Sequence, residues 1–160
     1  MDNDMTTYES EIQNLNVPSF VNIRSIAHKQ LKANFSHPEI EDMYAELKRG
    51  TSIIEREELL WRYLLSFGLM HQAKIYASLD KIKNLAEIVA NDYSIIDWGC
   101  GQGLATVCMF DYLREHGFTH TVKKITLIEP SKLALKNAVL HTSIYGNYEI
   151  VQVNKSLDDV

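Results

Sequence analysis

The densest chemistry in this sequence lies in Asp97-Trp98-Gly99-Cys100-Gly101-Gln102-Gly103, where three glycines alternate with other residues behind an acid. Glycine lets a chain turn tightly and lets a ligand approach the backbone closely. A glycine loop between a strand and a helix therefore offers backbone N–H groups to a ligand. The spacing G-x-G-x-G differs from the dinucleotide fingerprint G-x-G-x-x-G, whose third glycine position is here Leu104. The charge differs too. A carboxylate at Asp97 repels a pyrophosphate and suits an ammonium group. A second acid, Glu129, closes the next apolar β-branched run. A carboxylate at such a strand end can accept hydrogen bonds from both hydroxyls of a ribose.

The elements that must position these residues follow from the periodicity. Tyr93 to Asp97 is short and β-branched and reads as a buried strand. Leu104 to His116 reads as a helix, with Leu104, Val107, Cys108 and Tyr112 on one side and Gly117 beyond its end. Lys124 to Glu129 is a second strand, Pro130-Ser131 opens a second helix running to Ser143, and Tyr148 to Val153 is a third strand after the turn at Tyr145-Gly146-Asn147. Strand, helix, strand, helix, strand predicts a parallel sheet.

Upstream, residues 18–90 read as helical. Val21, Ile23, Ile26, Ala27 and Leu31 recur at helical steps. Pro38 suits the first turn of a second helix with Ile40, Met43, Tyr44 and Leu47 on one face, ended by Gly50. Thr51 or Ser52 with Glu55 predicts the cap of a third helix carrying Leu59, Leu60, Tyr63, Leu64 and Phe67. Gly68 is expected to break or kink it before a fourth helix over 70–90. Residues 1–17 read as a polar, frayed tail.

With these elements in place, Ile95 to Gly103 resembles the first motif of class I S-adenosylmethionine-dependent methyltransferases, and Leu127-Ile128-Glu129-Pro130-Ser131 resembles the acidic motif that follows it. The resemblance covers residues 93–160. It implies an α/β fold: a helical N-terminal segment, 18–90, followed by a partial Rossmann-like parallel sheet of β-α-β-α-β order, 91–160. It also implies that S-adenosylmethionine or S-adenosylhomocysteine is bound. Asp97, Trp98, Gly99, Cys100, Gly101, Gln102 and Gly103 would hold the methionine end and Glu129 the ribose, with Pro130 also expected at the cofactor. The family often carries a further acid after the third strand, near the adenine. Here Asn154 or Lys155 occupies the expected place, and Asp158 is the acid available.

The family's fold has further strands, so the expectation is a fragment of a longer enzyme, or a chain whose partner supplies the rest through the exposed sheet. The implied activity is methyl transfer to an acceptor that the sequence leaves open: protein, RNA or small molecule. The alternative is a non-catalytic S-adenosylmethionine-binding or protein-interaction module. No residue is assigned as catalytic.

Composition narrows the remaining classes. With 46% hydrophobic and 23% charged residues the chain is globular, not disordered. Asp2, Asp4, Glu9 and Glu11 carry most of the net charge of −5, which leaves the body near neutral without the basic field of a nucleic-acid binder. No apolar run approaches the roughly 20 residues of a membrane span. The acidic start is unlike a secretory signal, so the expected location is cytoplasmic. Cys100 and Cys108 lack zinc-site spacing. His28, His37, His116, His120 and His141 show no metal-ligand pattern and are expected at the surface. His71, Lys74 and Tyr76 are candidates for a lid, and Trp61, Tyr63 and Phe67 read as core.

Overall fold

A computed structural model describes residues 6–50, 53–156 and 158. The architecture is mixed α/β. Five helices come first: α1 (Thr7–Gln13), α2 (Phe20–Asn34), α3 (His37–Glu46), α4 (Glu57–Leu79) and α5 (Leu85–Ala90). There follow β1 (Asp92–Trp98), α6 (Leu104–Glu115), β2 (Thr121–Ile128), α7 (Lys132–Ser143) and β3 (Glu149–Val153). The three strands form an open parallel sheet in the order β1-β2-β3, as in part of a Rossmann-like fold. Asp97 pairs with Leu127 and Ile128 with Val153, which aligns the C-terminal ends of the strands. Ile125 and Leu127 in the central strand are completely buried. On β1, Ile96 and Trp98 stand 60% and 51% exposed.

Residues 6–17 are not simply a polar tail. Thr6 caps α1, its Oγ1 accepting from Glu9 N–H while the Glu9 carboxylate accepts from Thr6 N–H. Tyr8 and Ile12 sit one turn apart on the face turned inward, and both are buried. The four acids in this stretch conceal an apolar i, i+4 pair.

Gly68 does not end a helix either. α4 runs unbroken from Glu57 to Leu79, with Gly68 buried inside it. A Cβ there would stand 2.6 Å from the Phe20 ring, so glycine serves a close approach between α2 and α4. The helix expected over 70–90 is divided between the end of α4 and the short α5. Ser36 precedes α3, with Pro38 in the first turn as expected; the Glu39 carboxylate accepts from Ser36 N–H and Oγ–H. The cap expected at Thr51 or Ser52 lies outside the described residues.

One buried cluster joins the helical segment to the sheet's helices: Tyr8, Phe20, Leu31 and Leu64 pack with Val107, Cys108 and Leu140. Each such Leu or Phe contributes roughly 1.5–3 kcal/mol by leaving water. A buried acid fixes the geometry. Asp111 of α6 accepts from Phe20 N–H at the start of α2 (2.7 Å), from Arg114 (2.8 Å) and from Tyr145 Oη–H (3.0 Å). No described helix is long and apolar enough to cross a membrane.

Candidate functional site

The chain leaves β1 at Trp98 and turns through Gly99–Gly103 before α6 begins. Cys100 N–H donates to Ile128 O (3.0 Å), so the turn hangs from the neighbouring strand, and Gly103 N–H closes it onto Cys100 O (2.7 Å). Glu129, just past β2, ties two segments together. Its Oε2 accepts from Gly101 N–H and its Oε1 from Ser131 N–H, each at 3.0 Å. At Gly103, φ is +76°, and a Cβ would meet the backbone of Ala138 on α7 at 3.2 Å. Cβ atoms at Gly99 and Gly101 would meet nothing within 4 Å; they face open space.

That space is a cavity of about 310 Å³, at the lower end of the range of small-molecule sites. The glycine loop forms one wall, from Asp97 to Gln102, with Glu129 and Ser131 beside it. Leu60, Tyr63 and His71 of α4 form the facing wall, and Gly50 and Ile54 complete it. Two hydrogen bonds dock these walls: Gln102 Nε2–H donates to Leu60 O (2.9 Å), and Ser131 Oγ–H to Ile54 O (2.5 Å). Gln102 Oε1 is buried without a partner among the described residues.

The cavity is electronegative. Asp97 and Glu129 both line it, and no Lys or Arg is among its described lining residues. Burial pushes the Asp97 carboxyl above its ordinary value; a hydrogen bond from Thr106 Oγ1–H (2.8 Å) opposes this, and the charge of Glu129 adds to it. Burial, then Asp97 and Glu129, push the Cys100 thiol up, away from the thiolate that a nucleophile needs. Burial, then Lys74, hold His71 below its ordinary value, and burial, then Glu129, raise Tyr63.

Of the residues expected to hold a cofactor, the fold brings Asp97, Trp98, Gly99, Cys100, Gly101, Gln102 and Glu129 to this cavity. Trp98 is half-exposed at its rim and not packed under the sheet. Gly103 stands against α7 instead. Pro130 is outside the lining; its carbonyl, with that of Glu129, accepts from the Asn154 side chain (2.8 and 2.9 Å). Asp158 is exposed and also outside the lining. Asn154, after β3, thus braces the strand ends.

Among the lid candidates only His71 reaches the cavity. Lys74 is exposed, and Tyr76 Oη–H donates to Glu115 (3.0 Å). Tyr63, assigned to the core from sequence, lines the cavity, whereas Trp61 and Phe67 pack into the helices. His141 is the other correction. It is fully buried on α7, with Nδ1 2.9 Å from Gln102 O and Nε2 2.8 Å from Tyr8 Oη. A carbonyl can only accept, so Nδ1 carries the proton and Nε2 accepts from the tyrosine hydroxyl. No group of three or more metal-ligating side chains occurs among the described residues. No known family model matches the chain, and no curated protein matches it.

Proposed function

We propose that this chain is the cofactor-binding portion of an S-adenosylmethionine-dependent methyltransferase. The observation that carries the reading is the pair of carboxylates, Asp97 and Glu129, facing one cavity beside a glycine loop, with no cationic side chain among the described lining residues. A ligand with an ammonium and a sulfonium group suits that field; a pyrophosphate does not. The fit holds at the level of donors and acceptors. Asp97 would take the ammonium, and Glu129 keeps lone pairs for a ribose while it holds Gly101 and Ser131. Open space over Gly99 and Gly101 permits close approach to the backbone. The bound cofactor would supply an electrophilic methyl group. The chain's own task is to fix the ligand's ends and to exclude water with α4. The acceptor is a protein, an RNA or a small molecule. The free, buried thiols of Cys100 and Cys108 suit a cytoplasmic setting.

Calorimetric titration tests the reading. S-adenosylhomocysteine and S-adenosylmethionine should bind, NAD should not, and Gly101→Val should abolish binding in a folded protein. Tight NAD binding, or unchanged affinity in Gly101→Val, would contradict it. A second reading, a non-catalytic module acting through protein contacts, draws on the open β1 edge with Ile96 and Trp98 exposed.

A further inference from the structure

The wall opposite the glycine loop contains more than an apolar cover. Tyr63 and His71, eight residues apart on α4, both reach the cavity. Tyr63 Oη lies 2.9 Å from His71 Nε2, and the rings stack with centroids 5.8 Å apart and planes at 18°. Phe67 packs on the tyrosine ring at 5.1 Å. A Cβ at Gly50 would come within 3.0 Å of Tyr63 Cε2, so the phenol is confined on a further side. Leu60 and Ile75 show what a simple cover would need, and they line the same cavity. A half-buried phenol and imidazole cost more desolvation than such aliphatics, and they give a ligand directional hydrogen bonds in return.

The chemistry of the pair is that of a neutral partner. Burial, then Lys74, disfavours the imidazolium of His71, and burial, then Glu129, disfavours the phenolate of Tyr63. If the phenol donates to Nε2, the imidazole presents Nδ1–H. If Nε2–H donates to the phenol oxygen, Nδ1 presents a lone pair and the phenol a free O–H. The second arrangement presents an acceptor at Nδ1 and a donor at the phenol O–H, the complement of a protic group, without changing the pair's charge. Asp97 and Glu129 supply the full negative charge elsewhere in the cavity. A division of labour follows, with cationic groups at the carboxylates and a neutral protic group at α4.

We propose that Tyr63 and His71 form the seat of the methyl acceptor, and that the acceptor presents an N–H or O–H group there. The proposal rests on the methyltransferase reading. Both are positioning residues: they orient the group that receives the methyl.

The test is chemical footprinting of the full chain with diethyl pyrocarbonate, read by mass spectrometry at each histidine. Exposed His28 and His37 serve as internal standards and buried His141 as the unreactive control. With S-adenosylhomocysteine saturating, His71 should still react within about twofold of its rate in the free protein, and Tyr63→Phe and His71→Gln should bind S-adenosylhomocysteine within about twofold of wild type. In the loaded protein, acetamide, which has N–H donors, should slow His71 modification at least twofold. N,N-dimethylacetamide should not, and the difference should vanish in Tyr63→Phe. Protection of His71 by S-adenosylhomocysteine alone, or a loss of about tenfold in its affinity in Tyr63→Phe, places the pair on the cofactor and overturns the acceptor seat. Equal effects of the two amides overturn the protic specificity. Failure of the wild-type chain to bind S-adenosylhomocysteine overturns the underlying reading and the proposal with it, an outcome distinct from the other two.

Discussion

Glu129 would carry two duties on one carboxylate, and substitutions there would separate them. It holds Gly101 N–H and Ser131 N–H, and in the proposed function it also receives a ribose. Each hydrogen bond to a charged acceptor is worth on the order of 1.5–3 kcal/mol. Glu129→Ala should therefore weaken S-adenosylhomocysteine binding by about tenfold or more, and free methionine by less, measured by calorimetry. Methionine does not escape entirely, because the loop that would hold it loses its tie at Gly101. Glu129→Gln presents one oxygen to two converging N–H groups, so it should fall between wild type and alanine. Equal losses for both ligands would mean that Glu129 serves the loop alone. Asp97 was legible because strand, acid and glycine cluster are contiguous in sequence, and Glu129 because it closes the next β-branched run. Tyr63 and His71 were not, because nothing local separates a helix face that lines a cavity from one that packs in a core. Gln102 is intermediate: its position in the loop was plain, but its reach to Leu60 depends on where α4 docks.

At the scale of elements, α1 and α7 make stability depend on pH. His141 is buried neutral, and burial depresses it from 6.5 to about 4. Between those values the unfolded chain binds a proton that the folded chain refuses, so stability falls as pH drops from about 6.5 towards 4 and levels off below. The full effect is about 3 kcal/mol at most. Asp97 and Asp111, both raised mainly by burial, oppose it at the acid end, since the folded state then gains protons there. Urea unfolding across pH 4–7 should show this slope in wild type and a flatter one in His141→Gln. An equal slope in wild type and His141→Gln would mean that His141 is not its source. The strands and their helices were readable from period alone, because each is short, punctuated by Gly, Pro or Ser, and uniform in pattern. The helical segment was harder. The capping pair Thr6 and Glu9 was present in the sequence, but the surrounding acids outweighed Tyr8 and Ile12. Gly68 looks like a stop until the Phe20 ring, 48 positions away in sequence, is known to rest on it.

On the scale of the whole molecule, the helices and the sheet share one interior. Tyr8, Phe20 and Leu64 lie in the same cluster as Val107, Cys108 and Leu140, and α4 packs along α6. A chain of residues 91–160 alone would expose that cluster from one side. It should lack a cooperative urea transition and should bind a hydrophobic dye; a sharp transition would show that the sheet portion is self-sufficient. The chain of contacts from Tyr8 through His141 to Gln102 has one more consequence. A seven-residue helix ordinarily frays, and its amides exchange with solvent almost freely. Here the tyrosine in that helix is bonded to an imidazole that grips the glycine loop, so helix and loop are expected to open as a unit. Deuterium uptake at Ser10 and Asn14, whose amides bond to Thr6 O and Ser10 O, should track uptake in the loop and slow when S-adenosylhomocysteine is added. In Tyr8→Phe the two rates should part, with the helix exchanging fast and the loop still slowed by the ligand. Helix α1 would then act as a reporter of an event at the glycine loop.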